Sequence, residues 1–388
     1  MRGETEPIHD FSRKLSQPSI IKDLRDYVRW LRGGSLLEIS PISINLDPTS
    51  ACNFDCNHCI DKGIINKGHH LEYKTLENSL KLMHEKGLKS VILIGGGEPT
   101  LYKKFEGLVK FLKDIEIQIA IVTNGTKMEK IREVGEFLTE GDWVRLSLDA
   151  GTEQTFNQMH NPKIDITLQQ ICEQTKLTKK HHPNLQIGYS FVITPHSHGL
   201  IPNIDEMEIA TKLAKDYLFN YISFKPILGR NSNDSEVLAF NQIKEKKIKE
   251  KIKENYKRAK GFESEDFKVV ETNNLGSFLR ELTYSPSRKT KRCHLQFFRQ
   301  VLTPTGIYTC PGYRGNKKFK VGESEGYSSE ENFKETNKQT SQKILNLDTS
   351  KECHESTCLY ASTNQYIEYL IKNPEKLTVS QERGDYFL

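Results

Sequence analysis

Short apolar runs alternate with amphipathic stretches through the middle of the chain. Compact runs at 42–47, 90–94, 117–122, 143–149, 186–193 and 221–227 are rich in β-branched and aromatic residues, as buried strands are. Between them, 74–86, 103–113, 128–138, 165–180 and 204–216 place apolar residues at helical spacing. The alternation predicts six parallel βα units, with helices covering the sheet. Upstream, Ile20 to Leu31 reads as a helix stopped by Gly33-Gly34. In βα barrels, ligand chemistry gathers at the C-terminal ends of the strands.

The rest of the chain differs in character. Lys244 to Lys260 interleaves lysine and glutamate, the pattern of a solvated helix with i,i+4 ion pairs. Ser287 to Arg292 is basic and reads as a solvated linker. Leu302 to Thr309 reads as a hairpin turning at Thr305-Gly306. The polar stretch from Ser324 to Gln342 is expected to be a mobile loop. These shifts divide the chain into an N-terminal extension (1–40), a barrel (41–228), a charged helical connector (229–291) and a C-terminal α+β unit with a terminal helix (292–388).

Composition narrows the class. With 388 residues, 36% hydrophobic and 28% charged, a large domain plus a smaller one is expected. A net charge of +5 neither requires nor excludes an acidic partner, and nucleic acid is not expected. No apolar run has the length of a membrane span, and Met1 to Ser16 lacks an apolar signal segment. A cytoplasmic location with no membrane partner is therefore expected. In a reducing compartment, eight cysteines point to metal ligation rather than disulfides.

The cysteines fall in groups. Cys52, Cys56 and Cys59 lie within eight residues, in a loop after the first strand. Thiolates suit iron–sulfur clusters and zinc, and a closed site usually takes four ligands. Three without a close fourth suggest a cubane with one open iron. The other reading is a zinc knuckle completed by His58, which would need adjacent residues on one ion. The second run ends in Gly95-Gly96-Gly97-Glu98-Pro99.

These two motifs, in this order, resemble the radical S-adenosylmethionine (SAM) superfamily. The resemblance implies a partial (β/α)6 barrel with a [4Fe–4S] cluster on Cys52, Cys56 and Cys59. It implies SAM bound by Gly96, Gly97 and Glu98, more loosely by Asn124 and Ser147, with His58 near the adenine. It also implies a flavodoxin- or ferredoxin-type electron donor.

Cys293, Cys310, Cys353 and Cys358 flank and follow the predicted hairpin. This layout resembles the twitch domain and its longer relative, the SPASM domain, which implies a second, auxiliary [4Fe–4S] cluster. A zinc ribbon is the competing reading. Cys172 remains, on the helical stripe Leu168, Ile171, Cys172 and Thr175, and reads as core packing rather than as a hydrogen-atom donor.

The resemblance extends to twitch-bearing aminocyclitol dehydrogenases. It implies an oxidoreductase or epimerase acting on a small polyol or sugar-like molecule. Asp149 and Lys225, at strand ends, are the candidate proton-transfer residues, with Arg230 and Arg314 as further substrate contacts. The alternatives are a peptide-modifying radical enzyme and a non-catalytic metal-binding protein.

Overall fold

The structure is a computed structural model. It describes residues 11–35, 37–195, 200–230, 236–238, 246–280, 289–353 and 358–388. Part of the basic run at 287–292, the start of the lysine-rich stretch and most of the first sixteen residues lie outside these.

Six parallel strands stand in chain order: β1 (Ser43–Leu46), β2 (Ser90–Leu93), β3 (Gln118–Thr123), β4 (Trp143–Ser147), β5 (Gln186–Ile193) and β6 (Tyr221–Pro226). Helices at Tyr73–Glu85, Phe105–Asp114, Met128–Val134, Leu168–His181 and Met207–Asp216 connect them, close to the expected ranges. This is the α/β fold of a partial barrel. β-branched residues at Ile44, Val91, Ile119, Val144 and Ile187 face these helices in one large core. Cys172 is fully buried there.

The opposite face of the strands lines the barrel interior. Ile92, Ala120 and Trp143 form a separate small cluster with Phe387. The Phe387 ring meets Trp143 edge-on at 5.5 Å. Ser90 Oγ donates to the Tyr386 carbonyl (2.8 Å), and Gln118 Nε2 to that of Gly384 (2.9 Å). The C-terminal segment thus floors the barrel at the N-terminal strand ends.

The sheet continues past the six expected units. β7 (Leu228–Arg230) and β8 (Glu236–Leu238) form a separate antiparallel pair. β9 (Lys268–Glu271) then pairs in parallel with β6. The region from 229 to 291 is therefore more than a helical connector. Its helix, Lys246–Lys260, does carry the expected pairs, Arg258 with Glu254 and Lys246 with Glu250, but buries Ile252, Asn255 and Ala259.

On the other edge, β10 (Arg299–Thr303) runs parallel to β1. β11 (Gly306–Tyr308) completes the expected hairpin, and β12 (Lys320–Gly322) follows it. Arg299 pairs with Ser43 and Leu302 with Leu46, so the C-terminal hairpin belongs to the barrel's sheet.

The expected loop at 324–342 is instead mostly the helix Glu330–Asn346. Its buried stripe is largely polar: Phe333, Thr336, Asn337, Thr340, Ser341 and Ile344. Thr336 donates to the Gly326 carbonyl and Thr340 to the Thr336 carbonyl, so hydroxyls stand where apolar residues would signal a helix. No helix among the described residues is long and apolar enough to cross a membrane.

Candidate functional site

The loop carrying Cys52, Cys56 and Cys59 leaves β1 and is pinned at several points. Thr49 bridges to His70, and Cys52 N–H donates to Asn66 Oδ1 at 2.8 Å. Phe54 is buried edge-on against Phe156 at 5.8 Å. Backbone N–H groups of Asp55 and Asn57 donate to the carbonyls of His160 and Met159. The loop therefore lies across the end of the helix Glu153–His160, whose Asn161 cap is left-handed (φ 42°).

All three thiols are half-buried. Burial pushes Cys52 up to about 11 and Cys56 higher still, and the neighbouring cysteines push Cys56 further. Such thiols keep their protons until a strongly bound cation displaces them.

Gly97 explains why this loop can pass so close to the strand ends. A Cβ there would lie 2.3 Å from the Ala51 carbonyl oxygen. Glu98 N–H donates to that same oxygen at 2.7 Å. The buried Glu98 carboxylate accepts from Thr100 N and Oγ1 (3.1 and 2.7 Å), Thr123 Oγ1 (2.6 Å) and Asn124 N (2.7 Å). Asn124 Nδ2 in turn donates to Asn53 Oδ1 at 2.8 Å. Glu98 and Asn124 thus tie the loops after β1, β2 and β3 into one frame. Gly96 N–H points at Asp47 Oδ2, 3.2 Å away. Ser147 stands half-buried at the end of β4.

His58 and Asp149 come together. His58 Nε2 lies 3.0 Å from Asp149 Oδ2, and Val192 N–H donates to Oδ1 at 2.7 Å. Burial alone raises the Asp149 carboxyl. The His58 hydrogen bond and the charges of His58, His160 and Lys225 outweigh it and hold the group below its ordinary range. His58 Nδ1 is buried with no partner among the described residues.

His160 had not been singled out in the sequence. Its Nδ1 lies 3.2 Å from Cys56 Sγ and its Nε2 2.8 Å from the Leu148 carbonyl. Burial pushes its pKa down to about 4 against the pull of Asp149. The stripe Phe156, Met159, His160 on one helix face was the available signal.

Two further residues face the barrel interior. Lys225 on β6 is half-buried, and burial with Arg145 beside it lowers its pKa to about 7 against the pull of Asp149. Arg145 on β4, also missed, lies over the Trp143 ring at 5.3 Å. A charged residue inside the alternating run Trp143-Val144-Arg145-Leu146-Ser147 was its signal.

Arg230 and Arg314, expected as substrate contacts, both bridge protein elements. Arg230 Nε donates to the Ile60 carbonyl (3.1 Å) and Nη1 to that of Gly312 (3.2 Å). Arg314 pairs with both Asp47 and Asp61.

The second cysteine group also converges. Cys293, Cys310, Cys353 and Cys358 line one cavity of about 210 Å³, walled by Tyr313, Phe319 and Tyr360. Burial first, then the charges of the other three cysteines, raises Cys310 well above the thiol range. Asn364 Nδ2 reaches Cys293 Sγ at 3.6 Å, and Tyr313 Oη reaches Cys353 Sγ at 3.4 Å. Zinc and an iron–sulfur cluster both accept such a set of four thiolates.

Residues 46–196 match the family model described as the Radical SAM superfamily. The chain is 25% identical over 241 residues to an S-adenosylmethionine-dependent nucleotide dehydratase of Flammeovirga pacifica, covering 60% of this chain and 76% of that protein. It is 29% identical over 191 residues to a probable GTP 3',8-cyclase of Sulfurisphaera tokodaii, covering 47% and 56%. It spans less than half the length of other curated relatives that it matches. Streptococcus suis SuiB bound to S-adenosylmethionine superposes with a TM-score of 0.61 at 16% identity, covering 94% of this chain and 81% of that one. That likeness is one of fold. Over residues 46–196, then, the chain is similar to the radical SAM superfamily.

Proposed function

We propose that this chain is a radical SAM oxidoreductase that removes hydrogen from a small hydroxylated metabolite of the polyol or sugar type. In this reading Cys52, Cys56 and Cys59 hold a [4Fe–4S] cluster with one iron open to SAM. Cys293, Cys310, Cys353 and Cys358 hold a second one. When bound, the first cluster and SAM would supply the electron and the carbon radical that abstracts a substrate hydrogen, and the second cluster would take up the electron that the substrate loses.

The observation that carries the reading is the second cysteine set. Four thiols around one buried cavity leave no position for substrate on that group, so its role is electron transfer. An electron acceptor inside the protein favours oxidation of an alcohol carbon to a carbonyl over epimerisation. The small-molecule reading is supported by the names of the nucleotide dehydratase and the cyclase, both of which concern nucleotides.

The chain's own groups take defined parts. Gly96 and Gly97 let the loop backbone approach the SAM amino group, while Glu98 and Asn124 hold that loop in place. Ser147 lies where a SAM hydroxyl or carboxylate would be met. Asp149 acts through His58: with its carboxylate against Nε2, His58 Nδ1 is the atom open to a proton.

The test is anaerobic incubation of the reduced, cluster-loaded protein with SAM, with 5′-deoxyadenosine measured. Formation in wild type, abolished by Cys56→Ala, supports the reading. Deuterated polyols and sugars should then pass label into that product. No 5′-deoxyadenosine from fully loaded protein would remove the proposal.

A further inference from the structure

Among the described residues, three polar groups on neighbouring strands face the barrel interior without acceptors. Arg145 on β4 has its Nε buried and unpartnered, and Ser190 on β5 is fully buried with an unpartnered Oγ. Lys225 on β6 completes the row. Among the described residues, neither Arg145 nor Lys225 meets a hydrogen-bond acceptor or a carboxylate.

Register places the three together. Ser147 pairs with Ser190 and Ser190 with Ser223, so β4, β5 and β6 are level at that step. Arg145 is one inward-facing position below this level and Lys225 one above. At about 3.3 Å per residue, each lies about 7 Å along its strand from the serine level, within reach of long side chains.

Of the interior carboxylates, Asp149 attracts Lys225 through space but forms no ion pair with it among the described residues. Asp149 is held by His58 and Val192, and Glu98 by four donors. Asp47 and Asp61 are paired with Arg314. Below, the Trp143–Phe387 contact closes the floor. Arg145, Lys225 and the Ser190 hydroxyl therefore stand without a hydrogen-bonded anion among the described residues. Half-buried cations without a hydrogen-bonded counter-ion favour an anion beside them.

We propose that Arg145, Ser190 and Lys225 form an oxyanion subsite that takes a phosphate or carboxylate group of the substrate. This rests on the function proposed above and specifies its substrate class: a sugar phosphate or sugar acid rather than a neutral polyol. The Arg145 fork meets two oxygens, Lys225 supplies a point charge and Ser190 one further donor. An anion anchored near the floor would raise the rest of the substrate toward the strand ends, where SAM would lie.

The test is calorimetric titration of the anaerobically isolated, cluster-loaded protein with inorganic phosphate, acetate and SAM at fixed ionic strength. The variants are Arg145→Gln, Lys225→Gln and, as charge-retaining controls, Arg145→Lys and Lys225→Arg. Phosphate or acetate should bind wild type, and the one that binds identifies the preferred anion. Each glutamine variant should weaken it by about tenfold or more. The charge-retaining variants should recover part of the affinity, and SAM affinity should stay within about twofold. Trp143, under the Arg145 guanidinium, gives a second readout: its fluorescence in a Trp30→Phe background should respond to the bound anion.

Neither anion binding, or equal binding by wild type and the glutamine variants, would overturn the subsite. So would loss of SAM affinity with anion affinity unchanged, which would assign the cations to the SAM carboxylate. If the glutamine variants do not fold, the charge-retaining pair decides: altered anion affinity supports the subsite, and none overturns it. Anion binding that persists when the loaded protein cannot cleave SAM would remove the proposed reaction and leave the subsite standing.

Discussion

Arg314, just past Cys310, forms an ion pair with Asp47 just beyond β1, its Nε 2.8 Å from Oδ2. The same guanidinium pairs with Asp61, close to Cys59, and lies 3.5 Å from the Gly95 carbonyl. One side chain therefore joins the turn after Cys310, the first cysteine loop and the glycine loop. All three charged groups are buried.

Arg314→Met should destabilise the protein by about 3 kcal/mol at pH 8, because it leaves the buried Asp47 without its cation and Asp61 with Arg230 alone. Burial, opposed by Arg314, already raises Asp47 to about 7. A folded-state pKa above the unfolded one means that the folded protein binds the extra proton between about pH 4 and 7. Asp47 therefore penalises the fold as pH rises through that window, and losing Arg314 deepens the penalty. Denaturant unfolding should show a larger gap between variant and wild type at pH 8 than at pH 5.

Gly97→Ala tests the close approach of the two loops. Its Cβ would sit 2.3 Å from a backbone oxygen, with the Ser50 carbon at 2.6 Å, so neither neighbour can swing aside. The expected outcome is a loss of about 2–3 kcal/mol together with poorer iron retention by the first cysteine group. Thermal unfolding and iron analysis on one preparation check both.

Lys225 gives a prediction of opposite sign. Burial first, then Arg145, lowers its pKa to about 7. The unfolded chain then holds the extra proton from about pH 7 to 10, so stability rises with pH across that window. Lys225→Met should therefore stabilise the protein at pH 6, by about 2 kcal/mol after allowance for partial exposure. The gain should shrink toward zero by pH 10. Chemical denaturation across pH in phosphate-free buffer measures it.

Cys172→Ala should cost about 1 kcal/mol, leave iron content unchanged and leave SAM cleavage intact, since the side chain is wholly inside the helix-facing core. Loss of product formation without loss of iron would instead give that thiol a part in the chemistry.

The six strands were legible in the sequence because each is an apolar run with β-branched residues on the helix side. The cysteine and glycine motifs were legible because their spacing is local. The helix at 330–346 was not, since Thr336, Thr340 and Ser341 occupy its buried stripe and read as loop. Nor were β9 and the sharing of one sheet by β1 and β10, which depend on pairing between distant segments. Arg145 was hidden by its neighbours: a single charge in an apolar strand acquires meaning only once the inward face is known. The protein partners of Arg230 and Arg314 were not legible either, because they too depend on contacts between distant segments.

The most direct test of the account is an iron and sulfide count on anaerobically prepared protein, with zinc measured in the same samples. It compares wild type with a variant in which Cys52, Cys56 and Cys59 are all alanine. The account predicts about eight irons and eight sulfides in wild type, falling to about four of each in the variant, with no zinc. About four irons in wild type, absent from the variant, with zinc on Cys293, Cys310, Cys353 and Cys358, would contradict it and remove the internal electron acceptor.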